Sequence, residues 1–292
     1  MNWILLVLFY GIAKGFRDVI KKKAFTKNTV MEVLFAHTFI TFVFCIPDIN
    51  NSLGIPSNYY FLIALKSLAI FLAWIFSFNA IDNMPISVYG IVDLSRIIFS
   101  TLFGVLILKE TISLSGGIGL SLVLLGLSLL KLYPKIKEKL TKNGNHEVNN
   151  SEEINPKYVI MAFLSCLLNG LSGGLDKIYT KDVSSSQLQF WYMLFMVIYY
   201  AIYILARRIK IRSSIWKNGW LWLLSILFFL ADKALFIANT YPESKVSIMT
   251  LIKQSACIIT IFAGKFIFKE KNIGYKFICA LIVVSGIIIA TI

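Results

Sequence analysis

The sequence predicts an all-α integral membrane protein in which ten transmembrane helices form two inverted five-helix repeats. Three observations predict this fold class: an apolar composition, ten apolar stretches of spanning length and an internal duplication. Hydrophobic residues make up 58% of the 292-residue chain, the mean hydropathy is +0.75, and only 15% of the residues are charged. This composition is far more apolar than that of a soluble domain.

The apolar stretches fall into two groups of five. A helix needs about 20 residues to cross roughly 30 Å of hydrocarbon, and stretches of about this length recur from end to end. A polar segment of mixed charge, typical of a solvated linker, separates the two groups. The sequence therefore predicts a first repeat at residues 1–132, a linker at 133–156 and a second repeat at 157–292. The predicted spans are residues 3–20, 30–47, 59–81, 84–108, 112–132, 157–179, 186–206, 217–239, 244–268 and 273–291.

The duplication is visible as a helical hairpin that occurs twice. The copies cover residues 78–110 and 236–270, and each contains an alanine, a proline and a final Lys-Glu pair. A Gly-xxx-Gly pair also occurs in the first helix of each half, at residues 11–15 and 170–174. A repeated apolar half is typical of a transporter whose site lies at the repeat interface. With a short insertion after the second proline, the aligned pairs are Pro85 with Pro242, Ser87 with Ser247, Ser95 with Ser255 and Gly104 with Gly264.

The distribution of positive charge predicts the orientation in the membrane. Of the 29 lysines and arginines, 20 fall in odd-numbered loops and 4 in even-numbered loops. Cytoplasmic loops carry such an excess, so we expect the odd loops to be cytoplasmic and both termini to lie outside a cell (plasma or inner) membrane. Five helices per half then give the halves opposite orientations. Topology explains the net charge of +14, so the sequence indicates no nucleic-acid partner.

The residues that enzymes and metal sites use do not form a recognisable pattern. The four cysteines lie in predicted spans without CxxC spacing, and the two histidines, His37 and His146, are far apart. The sequence contains neither a phosphate-binding loop nor a nucleophile turn. We therefore expect no catalytic residues, no metal and no cofactor.

The repeated motifs carry a family resemblance over essentially the whole chain. Ala80 and Ala238 precede the two prolines, and the hairpins end at 109–110 and 269–270 with Lys-Glu. In these features the chain resembles the EamA-type members of the drug/metabolite transporter superfamily. The resemblance implies a ten-helix bundle with a central cavity for a small-molecule substrate. Many relatives are thought to keep both termini cytoplasmic, whereas the loop charges here predict the reverse.

Five charged residues inside the predicted spans are the candidate substrate-binding residues. A charge at the bilayer centre costs about 2.5–3.5 kcal/mol, so each needs a cavity or a partner. At about 1.5 Å per residue these positions lie roughly 12–17 Å deep, which predicts one cluster at the repeat interface. Two lysines nearer a membrane face, Lys66 and Lys265, are expected to snorkel. The five candidates are Asp93, Arg96, Asp232, Lys233 and Lys253.

The same charges also permit a second interpretation, in which they stabilise the fold and do not bind substrate. Asp93 and Arg96 are three residues apart, so an ion pair within one helix would satisfy both. Asp232 and Lys253 are expected to lie close together on neighbouring helices, where they would form either a structural bridge or part of the site.

We interpret the chain as a secondary transporter that moves a small polar organic metabolite by alternating access. Three cations against two carboxylates in the cluster favour an anionic or zwitterionic solute. Protonation of Asp93 or Asp232 would couple movement to a proton gradient, whereas exchange or facilitated transport would leave the same sequence. Two alternatives are a flippase for a lipid-linked sugar or other amphiphile and, less favoured, an integral-membrane enzyme.

Overall fold

The computed structural model describes residues 2–26, 28–109, 114–119, 121–122, 125–126, 128–129, 155–270 and 273–291. Every regular element in these residues is a helix. Two 3₁₀ turns, Ile46–Asn51 and Ser213–Lys217, lie in connections, and the described residues between 114 and 129 are helical. The α-helices are α1 (Asn2–Ala24), α2 (Val30–Cys45), α3 (Ser57–Asn83), α4 (Ile86–Asp93), α5 (Arg96–Leu108), α6 (Pro156–Tyr179), α7 (Ser185–Arg207), α8 (Gly219–Thr240), α9 (Val246–Lys253), α10 (Ala256–Phe266) and α11 (Ile273–Thr291).

Six helical stretches in the described residues are long and apolar enough to cross a membrane. They are Val30–Asn51, Ser57–Asn83, Ile86–Leu108, Pro156–Tyr179, Ser185–Arg207 and Gly219–Thr240. The predicted span at 112–132 and the linker at 133–156 lie largely outside the described residues. The structure thus shows the all-helical membrane fold, while the count of ten helices stays a prediction.

Local sequence signals place several of the helix starts. Thr29 and Ser184 each accept a backbone N–H from the third residue of the following helix, whose Glu or Gln side chain bonds back. This reciprocal arrangement satisfies N–H groups that have no partner within the helix. Pro56 and Pro85 precede α3 and α4 and provide no side-chain cap.

Two predicted spans, 84–108 and 244–268, are each interrupted by two residues. In the first break, Ser95 N–H donates to Val92 O, 3.0 Å away, and in the second Ser255 N–H donates to Ile252 O, 3.1 Å away. These are i to i+3 bonds, which tighten a helix into a 3₁₀ turn. The breaks fall at aligned serines, so the two copies of the hairpin share an irregularity that the apolar pattern does not reveal.

The helices pack in a reciprocal pattern across the two halves. Helix α1 packs on α8 and α3 packs on α6; likewise α1 packs on α10 and α6 on α5. Gly11 permits the approach of α1 to α9, because a Cβ at this position would lie 2.8 Å from Ile252 O. Each half therefore places its first helix against the third and fourth spans of the other half.

Candidate functional site

A polar cavity lies between the two halves. Side chains from α1 to α9 line it, so both halves build its wall. The space open to the centres of water-sized molecules is about 90 Å³. One water needs about 10–15 Å³ on this measure, so the cavity holds several waters or a compact solute.

Charged residues dominate one part of the cavity wall. Burial in a low-dielectric environment is unfavourable for each of them unless a partner or water compensates. The cations are Lys14, Arg17, Lys21, Lys66, Arg96 and Lys253, and the carboxylates are Asp18, Asp176 and Asp232.

A further carboxylate, that of Asp93, lies directly behind this wall and is 3% exposed. It forms ion pairs with both Lys14 and Arg96; the second joins Arg96 Nη2 to Asp93 Oδ1 over 2.7 Å. Lys14 Nζ also donates to Gln254 Oε1 over 3.4 Å, which links α1 to the second helix break. The Asp93 carboxylate therefore pairs with two cations, one through each of its oxygens.

Two buried ion pairs join the halves. Arg17 on α1 pairs with Asp232 on α8, with 3.2 Å between Nη1 and Oδ1. Lys66 on α3 pairs with Asp176 on α6, and the Lys66 side chain is only 2% exposed. Both pairs connect the first helix of one half to the third helix of the other half. The first helix supplies the cation in the pair of Arg17 with Asp232 and the carboxylate in the pair of Asp176 with Lys66.

Lys253 differs from the other cations of the wall. It is the last residue of α9, and its Nζ lies 5.7 Å from the centre of the Tyr10 ring. Among the described residues, no carboxylate lies within ion-pair distance of it and no hydrogen bond holds it. Lys253 therefore presents a positive charge to the cavity without a protein counter-ion in this part of the chain.

Aromatic rings line another part of the wall. His37 is fully buried among Trp74, Phe78 and Phe228, and its Nδ1 lies 3.0 Å from Ser225 Oγ. Its Nε2 has no hydrogen-bond partner among the described residues. Ring faces also attract the cations. The aromatic lining consists of Tyr10, Trp74, Phe78, Tyr89, Tyr192, Phe228 and Phe236.

The structure brings together some of the residues predicted from sequence and separates others. Arg96, Asp232 and Lys253 line the cavity, and Asp93 supports it from behind. Lys233 lies elsewhere: its Nζ bonds Asp48 Oδ2 over 2.9 Å and Ser186 Oγ over 2.5 Å. It faces away because successive helical residues point about 100° apart.

Two structural expectations are wrong: the bridge between Asp232 and Lys253, and the snorkelling of Lys66. Asp232 pairs with Arg17, whereas no ion pair joins it to Lys253 in the described residues. Lys66 does not snorkel; it reaches Asp176 across the helix interface and lies 4.5 Å from the centre of the Tyr192 ring. In both cases the position of the side chain depends on a partner on another helix. Spacing along a single segment cannot reveal such a partner.

Several lining residues on α1 were missed because the charge count placed them in the first loop, although two of them fall inside the predicted span of 3–20. Lys14, Arg17 and Lys21 were assigned to a cytoplasmic loop, but all three lie in α1 and line the cavity. Their spacing of three and four residues places them on one helical face, and this stripe was the available signal. The signal for Asp176 was its alignment with Arg17, since each lies two residues after the second glycine of its Gly-xxx-Gly pair.

The described residues contain no group of three or more His, Cys, Asp or Glu arranged to hold a metal ion. Cys45, Cys166, Cys257 and Cys279 are free and buried. Cys166 packs against Asp93, with 3.7 Å between Sγ and Oδ1.

Comparisons with known proteins agree with this architecture. The model of the EamA-like transporter family matches residues 1–132 and 156–292, one match for each half. A solved structure described only as "Crystal structure of protein" is 15% identical, with a TM-score of 0.63, and the match covers 97% of this chain and 98% of that one. No curated protein matches. At this identity the structural likeness shows the fold alone.

Proposed function

Because the chain belongs to the EamA-like transporter family of the drug/metabolite transporter superfamily and is a multi-pass membrane transporter, we propose that it carries a small anionic or zwitterionic metabolite through the central cavity. The observation that carries the proposal is the cavity itself. It lies between the halves, it is lined by charged side chains from both, and it has room for a compact solute.

The balance of charge supports the choice of substrate class. Six cations line the wall, while three carboxylates line it and Asp93 lies behind it. A cationic solute would meet repulsion from this excess, whereas the carboxylate or phosphate of a metabolite would be attracted. Arginine and lysine also supply the donors that such groups bind.

The reciprocal packing supports alternating access by two inverted repeats. In such transporters the halves rock against each other around a site at their interface, and broken helices border the site. Here the first helix of each half packs on the other half, and the 3₁₀ breaks at residues 94–95 and 254–255 lie beside the charged wall. We propose that these breaks flex as the cavity changes its opening.

If transport is coupled to protons, Asp232 is a better candidate for the proton-binding group than Asp93. Asp232 lines the cavity and has Arg17 as its only ion-pair partner among the described residues, whereas two cations hold Asp93 behind the wall. Release of Asp232 from Arg17 would allow it to bind a proton. A charged, compact cavity also supports a water-soluble solute over a lipid-linked sugar, whose chain would need an apolar path.

Solute counterflow in proteoliposomes tests the proposal. Vesicles that contain the purified protein and an excess of one unlabelled metabolite should accumulate the labelled metabolite, while protein-free vesicles should not. The panel should contain organic anions, zwitterions, cations and neutral sugars. Accumulation confined to the anions or zwitterions supports the proposal, and accumulation confined to cations or neutral solutes contradicts it.

A further inference from the structure

We infer that the transported solute carries two negative charges and that Lys253 and Arg96 bind them. The inference rests on the proposed function and narrows its substrate class to compact dianions, either dicarboxylates or phosphate monoesters. It comes from the charges that the protein leaves uncompensated.

The ion pairs around the cavity leave two positive charges in excess. Asp18, Asp176 and Asp232 each have one cationic partner, namely Lys21, Lys66 and Arg17. Asp93 is shared by Lys14 and Arg96. In the described residues these four carboxylates face six cations, counting Lys253 and taking His37 as neutral. One excess charge lies on Lys253, and the other lies on the pair that shares Asp93.

Such an excess is unfavourable when the cavity is empty of counter-ions. A buried charge without a partner destabilises a protein, and in a membrane the surrounding hydrocarbon adds to this effect. Water in the cavity hydrates the cations only in part, because the space is small. An anion that brings two charges would neutralise the wall, whereas a monoanion would leave one cation uncompensated.

The positions of the two cations fit a compact ligand that bridges the halves. Arg96 is the first residue of α5, directly after the first helix break, and Lys253 is the last residue of α9, directly before the second. Both line the same cavity, and α5 packs on α9. The cavity is too small for a bulky solute.

Arg96 also has donor capacity left for a ligand. Its Nη2 donates to Asp93, and no hydrogen bond in the described residues uses its Nη1. A planar guanidinium binds carboxylate and phosphate oxygens through paired donors. Lys253, without any bond in this part of the chain, keeps all three of its donors.

The test is thermal stabilisation of the purified full-length protein in detergent by two series of related solutes that differ in negative charge. The first series is succinate, succinamate and succinamide, with two, one and no negative charges; the second is glycerol phosphate and glycerol. Ionic strength is matched with sodium chloride. A ligand that binds the native state raises its stability by mass action. We expect a concentration-dependent shift of melting temperature with a dianion, a smaller shift with succinamate and none with the neutral compounds.

The two series also distinguish the two sources of the double charge. A shift with succinate alone identifies a dicarboxylate site, and a shift with glycerol phosphate alone identifies a phosphate-ester site. Either result supports the inference.

Two lysine variants connect the effect to the cavity. Lys253→Met should weaken dianion binding about tenfold or more, the range of close charge pairs at interfaces, and should make succinamate the better ligand. The unliganded variant should melt no lower than the wild type, since it loses a charge without a counter-ion. Lys233→Met removes a lysine outside the cavity and should leave the dianion shift unchanged.

The inference is wrong if succinamate or a neutral compound stabilises the protein as well as any dianion, or if no dianion shifts the melting temperature. It is also wrong if Lys253→Met retains the dianion preference. Counterflow of a monoanion or zwitterion alone would overturn this inference and leave the proposed function in place, whereas counterflow confined to cations or neutral sugars would overturn both.

Discussion

Arg17 on α1 and Asp232 on α8 form a buried ion pair that joins the two halves of the chain, with 3.2 Å between Nη1 and Oδ1. The guanidinium also lies over two rings, 4.6 Å from the centre of Phe228 and 5.1 Å from that of Tyr10. The Arg17 and Asp232 side chains are 4% and 11% exposed. Part of the contact between the halves therefore depends on charges that also line the cavity.

A double-mutant cycle should show that the Arg17–Asp232 ion pair stabilises the fold. Arg17→Met leaves the Asp232 carboxylate buried without its partner, which should lower the free energy of unfolding by about 3 kcal/mol, at the lower end for buried pairs because cavity water hydrates the carboxylate. Adding Asp232→Asn should recover most of this loss. Denaturation in detergent measures both changes. If the double variant is no more stable than Arg17→Met, the two charges do not act as a pair.

Gly11 should tolerate no side chain, because α1 lies against the backbone of α9 there. A Cβ would lie 2.8 Å from Ile252 O, and overpacking of this kind typically costs about 1–3 kcal/mol. Gly11→Ala should therefore lower the melting temperature despite the better helix propensity of alanine. Gly117 is the matched control, since nothing lies within 4 Å of a Cβ there. Equal melting temperatures for Gly11→Ala and Gly117→Ala would refute the close packing.

Glu270 should stabilise the start of α4. Its carboxylate accepts the N–H groups of Ile86 and Ser87, at 2.6 and 3.3 Å, and the Ser87 hydroxyl. Since hydrogen bonds to a charged group are worth about 1.5–3 kcal/mol, Glu270→Ala should lower the free energy of unfolding by about 2 kcal/mol. The exposed Glu243 is the control, and Glu243→Ala should have almost no effect. A similar loss in both variants, measured by denaturation, would contradict the role of Glu270.

The predicted orientation can be measured by labelling single cysteines in a cysteine-free protein with a membrane-impermeant maleimide. Asn149→Cys, in the linker, should resist labelling in intact cells because the linker is expected to be cytoplasmic. Asn50→Cys, in the exposed 3₁₀ turn after α2, should react because this connection is expected outside. Permeabilised cells should label both variants. The opposite pattern in intact cells would mean that the topology is reversed.

Periodicity and composition were sufficient to predict the all-helical membrane fold and most of the described helices. Spans such as 59–81 and 186–206 agree with α3 and α7 within a few residues, because a run of apolar residues that must cross a membrane can only be a helix or part of a barrel. The breaks in spans 84–108 and 244–268 escaped prediction, since neither break contains a glycine or proline that would mark the end of a helix.

The site was predicted less completely than the fold. Depth arguments selected Arg96, Asp232 and Lys253, since a charge in the middle of a span needs a polar environment. They also selected Lys233, because depth alone does not tell which way a side chain points. The pairing of Lys66 with Asp176 depends on the contact between α3 and α6, and no pattern within either helix indicates it.

Transport by two lysine variants tests the central claim most directly. Counterflow of the solute identified in the panel should be measured in proteoliposomes with wild-type protein, Lys253→Met and Lys233→Met, at equal amounts of folded protein. Because Lys253 faces the cavity and Lys233 bonds Asp48 and Ser186 outside it, we predict that Lys253→Met abolishes counterflow and Lys233→Met retains it. Normal counterflow by Lys253→Met, or equal loss in both variants, would contradict a substrate site in the cavity between the halves.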